Sequence, residues 1–545
     1  MKQQQITFFL FCILFFCFGQ TNGQTFYMTA GQTGSDEGAT CIIPADIDGQ
    51  FFVASYRDSN AVVLKMDRSG HFLWQQEFDF SAPPLVDRIH DLMVDGHYLV
   101  GCGISSGSLT ENRAFVFKYD LQQDAMVWQW LATEASRAAQ VIKHPVSGDY
   151  LICGSKYSMN GTTADGWMTE IDQTTGSALG FNASYSLPGL VNFNNTVVHG
   201  DYIYTAYRFS QSPAAFDFRG SVAKFNLATK AQEWTYQYVR SATDSAQLYA
   251  GDLTIENDTI FVVHHGSYDF ADVPVSQLWL TASDLDGNLY WTKNYDIQGM
   301  IADWSQELVA TADGFLILGN DRSNAGIGRD IFLMKVDRQG NFKWAKRYGD
   351  PNSVETMDLL THSQLLVNGD HLYFTAVVDG LNGPDEDLLI VKANLNGEVT
   401  TGQCPISDLV VTSASVTDVR DAAVLVQGDS VPHVPTTPDF SASSLQSSLV
   451  CGTQVSLAPE VAENSLVAYP NPTNGMLHLR YSLQEAQGMV LDVRNLMGQM
   501  VSERILEQNM GTLELDFHGQ STGMYLLTVK DGGGKTIWSE KVIYR

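Results

Sequence analysis

The sequence predicts an all-β chain: a seven-bladed β-propeller, then a linker, then a small C-terminal β-sandwich. Three observations point there. A short apolar strand recurs seven times, at steps of 47, 52, 52, 57, 56 and 57 residues. Each recurrence follows a turn rich in Gly, Asn and Asp, and no helical periodicity intervenes. After about Cys404 the rhythm stops, and a separate run of short alternating strands fills residues 458–545.

Length and charge set the outer limits. A chain of 545 residues is long enough for two to four domains. With 32 Lys and Arg against 61 Asp and Glu, the formal net charge is −29. Nucleic-acid binding needs clustered cations for phosphate contacts, so that class is excluded, as is docking on an anionic membrane face. The 44% hydrophobic content excludes a disordered chain.

Residues 1–23 read as a secretory signal peptide. Lys2 supplies the positive start, Ile6 to Phe18 the apolar stretch, and cleavage after Gly23 would expose Gln24. About 13 apolar residues fall short of the roughly 20 that a spanning helix needs. A lipoprotein is disfavoured because Cys17 follows two Phe residues rather than small ones.

Residues 24–403 carry the repeats. The recurring strand reads FFVAS from Phe51, YLVGC from Tyr98, YLICG from Tyr150, YIYTA from Tyr202, TIFVV from Thr259, FLILG from Phe315 and LYFTA from Leu372. A second strand follows each, ending at Asp67, Asp120, Asp172, Asn226, Asp284, Asp337 or Asn394. A turn then leads to a third strand carrying Trp74, Trp128, Phe181, Trp234, Trp291 or Trp344. With a weaker strand before the next turn, each unit has four strands, and four-stranded sheets repeated radially are propeller blades.

The ends of the array complement one another. The last unit stops after Asn394 without its aromatic strand, while TFYMTAG at residues 25–31 looks like the missing piece. Strands from both termini would close the ring and remove its exposed edges. Cys102 and Cys153 hold similar strand positions in successive units and read as buried thiols. Cys404 and Cys451 bracket the segment 404–457, a linker or irregular stretch rich in Ser, Thr and Pro. They are the candidate disulfide pair, the alternative being two free thiols.

The repeat residues resemble the secreted propeller-repeat proteins of Bacteroidota, with the pattern KxDxxGxxxWxxxY. Lys335, Asp337, Gly340, Trp344 and Tyr348 match it throughout, and Lys65, Asp67, Gly70 and Trp74 match with Phe78 in the last place. The pattern identifies architecture, not activity. A fainter resemblance is to the quinoprotein repeat at Asp172 to Gly176, where Phe181 stands in place of the docking Trp.

In residues 458–545, Leu477, Leu479 and Tyr481 share one strand face. This segment resembles the C-terminal sorting domain of the type IX secretion system, type A. The matching residues are Tyr469, Pro470, Asn471, Pro472 and Gly475, then Gly498, then Gly523 and Tyr525, and finally Lys541. The resemblance implies export across the outer membrane, removal of the domain by a sorting protease, and a secreted or surface-attached product.

Candidate chemistry is sparse. Asp284 to Asn288 and Asp46 to Gly49 could suggest calcium loops, yet both sit where hairpin turns are expected and lack a distal bidentate carboxylate. His264 and His265 are neighbours on a strand and point to opposite faces, so they cannot chelate one ion together. Asn160, Asn182, Asn194 and Asn257 begin N-x-Ser/Thr triplets, and Asp244-Ser245-Ala246 resembles an O-glycosylation site of the phylum. No nucleophile elbow and no phosphate loop is found. No residue is assigned a catalytic role, and no metal or cofactor is expected. The expected function is a monomeric, non-enzymatic surface scaffold binding a glycan or protein and exported by the type IX machinery. The alternative is a polysaccharide-active enzyme with acidic residues in the axial cleft.

Overall fold

The computed structural model describes residues 25–545 except 33, 46–48, 82–84, 108–110, 159–162, 188, 211–217, 240–246, 268–276, 299, 324–328, 350–353, 357–363, 380–384, 401, 403, 417–418, 429, 437–438, 444, 453–464, 470–472, 474, 483–488, 496–497, 507–509 and 533–534. The expected signal peptide, the Asp46 loop, Asn160 and the Asp244 triplet therefore lie outside the described residues. Every regular element described is a strand. The chain divides into two compact units, Met1–Gln454 and Val455–Arg545.

In the first unit each repeat folds into a four-stranded antiparallel meander. The first blade is Glu37–Pro44, Gln50–Arg57, Asn60–Asp67 and Phe72–Asp79. Blades two to six follow with the same strand order. The third and fourth are joined into one sheet by a single parallel bridge, Ala164 to Leu190. In the seventh, His371–Asp379 and Glu386–Asn394 pair with the N-terminal strand Phe26–Gly31, Phe26 facing Lys392 and Ala30 facing Leu388. The incomplete last repeat thus receives its fourth strand from the other end of the chain.

The cores lie between blades, not within them. The inner strands are apolar on both faces because a blade packs on neighbours to either side. One cluster joins blades one and two through Phe52, Phe78, Phe115 and Phe117. Others join two to three through Trp130 and Trp167, and six to seven through Leu333, Tyr348 and Phe374. A further cluster joins seven back to one through Phe26, Met28, Phe51 and Ile390, which closes the cycle.

Residues 404–452, within the segment expected as a linker over 404–457, correct that expectation. They run backward around the ring and lay a fifth strand on every blade. Ile406–Asp408 pairs with blade six, Val411–Val416 with five and Val419–Ala422 with four. Val426–Gln427, His433–Pro435 and Asp439–Ala442 pair with blades three, two and one. Gln446–Gly452 ends the circuit against the N-terminal strand on blade seven. Apolar side chains plug the grooves between blades: Leu409 between five and six, Leu425 between three and four, Val431 between two and three, Leu445 between seven and one.

Side-chain amides brace this belt in the stretches between its strands. Gln75 accepts from the N–H of Leu445 at 2.8 Å and donates to its carbonyl at 3.1 Å. Asn182 does the same for Val431, at 3.0 and 2.8 Å, so this N-x-Ser residue serves as a structural clamp. Gln232 accepts from Leu425 at 2.7 Å. Each such bond contributes on the order of 1 kcal/mol. Cys404 and Cys451, at the two ends of the belt, are joined by a disulfide with Cα atoms 5.3 Å apart.

The second unit has two sheets. Ser465–Tyr469, Met476–Ser482 and Met510–Asp516 form one; Met500–Leu506, Met489–Asn495, Gly523–Lys530 and Thr536–Tyr544 form the other. Leu477, Leu479, Leu491, Val493, Tyr525 and Leu527 are buried in a core shared by both sheets.

Candidate functional site

The repeat pattern is a blade-to-blade latch. Its Asp or Asn accepts backbone N–H groups of its own turn: Asp337 Oδ1 takes those of Gln339 and Asn341, at 3.0 and 2.8 Å. These bonds and the Lys343 ammonium hold the Asp337 carboxyl down at about 2, burial opposing them as the largest single influence. The Gly that closes the turn has positive φ, as at Gly340 (73°), which L-residues rarely adopt. The latch proper reaches to the next turn around the ring. Tyr295 donates to the carbonyl of Gly340 at 2.7 Å, and Tyr185 donates to that of Lys230 at 2.9 Å. Lys118 and Lys392 donate to the carbonyls of Gln173 and Arg68, both at 2.8 Å. The aromatic of one blade lies against the turn Gly of the next: Trp128 on Gly176, Trp291 on Gly340, Trp344 on Gly397 and Phe26 on Gly70.

This accounts for Asp172 to Gly176. Asp172 Oδ1 accepts the N–H groups of Thr174 and Thr175, and the aromatic on Gly176 is Trp128 from the preceding blade. Asp284 likewise binds the N–H groups of Asp286 and Asn288, a hairpin turn. Lys392, buried and beside Arg68, has its pKa lowered to about 8.

Nearer the axis, the first strand of each of blades one to six carries a bulge, as between Ile89 and Asp91 or Ala250 and Asp252. In blades one, two, three, five and six the residue after it reaches sideways to the next blade, while Asn195 Oδ1 in blade four makes no such bond. Asp91 accepts the N–H of Val141 at 3.0 Å, Gln140 that of Thr196 at 2.6 Å, Asp252 that of Leu308 at 2.7 Å, and Glu307 that of Leu365 at 2.7 Å. Cys41 takes the N–H of Leu92 in the same way. Burial raises Asp252 to about 7 and Glu307 well above the usual carboxylate range, the latter also repelled by Asp252 and Asp91. Sequence reasoning missed these residues, because the bulge that turns them sideways is set by sheet geometry and leaves no mark in the sequence.

A third set of acids sits at the turns that enter blades one, two and seven. Asp87 accepts from the N–H of Phe80 at 2.6 Å, and burial raises its pKa to about 6. Glu37, raised to about 7 by burial, pairs with Arg57 at 3.4 Å. Gly31 leaves room there: a Cβ on it would stand 1.9 Å from Asp387 Oδ1 and 3.1 Å from Glu37 Oε2. Gly349 repeats the arrangement with Asp330 and Glu355, at 2.2 and 2.9 Å.

His264 is fully buried, its pKa lowered to about 3 by desolvation, with Nε2 3.2 Å from Thr281 Oγ1. Cys41, Cys102 and Cys153 are buried free thiols. Among the described residues no group of three or more His, Cys, Asp and Glu side chains is placed to hold a metal ion.

In the second unit Tyr469 ends its strand opposite His478, while Pro470, Asn471 and Pro472 lie outside the described residues. Thr473 ties the beginning of the unit to its end: its N–H donates to Ile543 O at 2.8 Å, and its carbonyl accepts from Arg545 at 3.0 Å. Gly475 takes a φ of 148°, and a Cβ there would strike the His518 ring at 2.2 Å. Gly498 closes a turn by donating to Asn495 O at 2.9 Å. Gly523 opens the strand in which Tyr525 is buried against Phe517, ring centroids 4.9 Å apart. Lys541 is exposed opposite Leu526. The structure brings Tyr469, Gly475, Gly498, Gly523, Tyr525 and Lys541 into one small sandwich.

Residues 467–545 match the family described as the secretion system C-terminal sorting domain. The tail is a type IX sorting domain. The protein is accordingly secreted or attached to the outer cell surface, and the sorting domain engages the type IX secretion machinery. No curated protein matches the chain. Among solved structures, the chain is similar to the polysaccharide lyase Uly1 at 11% identity and TM-score 0.38, covering 66% of this chain and 90% of that one. It is similar to the GH93 α-L-arabinofuranosidase of Fusarium graminearum at 9% identity and TM-score 0.37, covering 68% and 98%. The blade architecture rests on the strand pairings above, and likenesses at this level add nothing to it.

Proposed function

We propose that the ring is a non-enzymatic binding scaffold, acting as a monomer at the cell surface on a glycan or protein ligand. One observation carries this reading: the recurring polar residues are committed to holding blade to blade. The latch lysines and tyrosines bind the next turn, and Asp91, Asp252 and Glu307 bind the next first strand. Recognition then belongs to the non-repeating loops that join the strands. The sorting domain is an address read by the type IX machinery and removed by its protease. Glycan and protein arrays probed with the ring, run beside a hydrolase screen, test this. Saturable binding without turnover supports the scaffold, and turnover of any polysaccharide overturns it.

The alternative, a polysaccharide-active enzyme, draws on Glu37 and Asp387, which crowd the same strand end with Glu37 at about 7. The recurrence of that arrangement at Asp330 and Glu355 favours a structural brace instead. Activity abolished by Glu37→Gln in a folded protein would reverse that preference.

A further inference from the structure

We propose that residues 404–452 are a covalent clasp: a belt whose two ends are locked together over the N-terminal strand, so that the disulfide, and not the sorting domain, keeps the ring shut. Three passes of the chain converge on blade seven. Thr25, leading into the N-terminal strand, accepts the N–H of Thr400 on Oγ1 at 2.7 Å, at the exit from the last repeat. Tyr27 stands opposite Cys451 and Phe26 opposite Gly452. The approach at Gly452 is so close that a Cβ would lie 2.5 Å from Thr25 O and 2.7 Å from Phe26 Cα. A Cβ on Gly402 would lie 3.1 Å from Gly452 N. The disulfide between Cys404 and Cys451 closes at this point.

Two consequences follow from the geometry. First, Phe26–Gly31 is an interior strand only because Gln446–Gly452 covers it; remove that cover and the strand that closes the ring becomes an exposed edge. Second, the belt strands are too short to hold alone, with only two residues at Val426–Gln427 and three at His433–Pro435. A run of weak edge strands frays from a free end inward. Fixing Cys451 to Cys404 leaves the belt with no free end. Both cysteines precede residue 455, so the clasp stays with the ring whether or not the sorting domain is removed.

Hydrogen exchange on the full chain tests this in three states: oxidised, reduced with dithiothreitol, and as the Cys404→Ser/Cys451→Ser variant. Dithiothreitol passes two electrons and two protons to the bond, giving two thiols and its own cyclic disulfide. Reduction is expected to speed exchange at least tenfold in 26–31 and 446–452, with the blade strands of 150–157 and 202–210 unchanged. The Gln75→Ala variant, which loosens the belt with the disulfide intact, should leave 26–31 protected. Unchanged exchange in 26–31 after complete reduction overturns the clasp, as does loss of its protection in Gln75→Ala. The reduced wild-type protein serves the test even where the double variant does not fold.

Discussion

The hydroxyl of Tyr348 donates to the carbonyl of Gly397 in the turn of the next blade, at 2.6 Å. Trp344, four residues earlier, lies against the same glycine. Two side chains at the end of one repeat thus grip a turn that belongs to the following one. The recurring spacing within a repeat is therefore a statement about the joint between repeats.

Tyr348→Phe should cost about 1–2 kcal/mol, because the buried carbonyl of Gly397 loses its donor. Removing the ring of Tyr290, which is 61% exposed, should cost little. Urea unfolding of both variants checks the contrast. Equal losses would show that the hydroxyl does not latch the blades.

Deleting residues 24–31 should lower the melting temperature and promote association. The deletion bares Glu386–Asn394 on one side and Gln446–Gly452 on the other. An unchanged melting temperature with a monodisperse protein would contradict closure by the N-terminal strand.

Acidification should stabilise the ring. The Asp252 carboxyl rises from an ordinary value of roughly 3.9 to about 7 on folding, because burial outweighs the N–H groups of Leu308 and Leu253. A raised pKa means that the folded state keeps a proton the unfolded chain has released. Its contribution is complete below about 4 and is lost as pH rises through about 7. Asp87, at about 6, and Glu37, at about 7, act in the same direction; buried His264, lowered to about 3, opposes them below about 6.5, and the raised carboxyls outnumber it. Melting temperature should therefore fall from pH 5 to pH 8, and Asp252→Asn should flatten the slope. A slope of opposite sign would mean that these carboxyls are ionised in the folded ring.

The blades were legible because the latch needs particular residues: a Gly at positive φ, an aromatic to cover it, a Lys and a Tyr to reach its carbonyls. Asp124 and Lys230, with φ of 52° and 57° where the other repeats use Gly, show where that signal thins. Ring closure was legible as a deficit at one end matched by a surplus at the other. The belt was not. Strands such as Val426–Gln427 have no periodicity of their own and take their pairing from a blade edge. Their Ser and Thr content therefore reads as linker. The sandwich of the sorting domain was legible in the alternation of Leu477, Leu479 and Tyr481, all buried. The sideways-turned acids at Asp91, Asp252 and Glu307 were not, since a bulge is set by sheet geometry and not by residue type.

Removing the disulfide by Cys404→Ala/Cys451→Ala should cost roughly 4 kcal/mol on a chain-entropy estimate for the 47-residue separation. Chemical denaturation under oxidising conditions measures it. A loss below ~1 kcal/mol would mean that strand pairing alone holds the belt.

Peptide mapping of surface and envelope fractions, for the full chain and for one lacking Gly523–Arg545, tests the central claim most directly. The account predicts the full chain at the surface with no peptides from the sorting domain, and the truncated chain folded but retained within the envelope. Export of the truncated chain, or a surface protein that still carries Arg545, would contradict it.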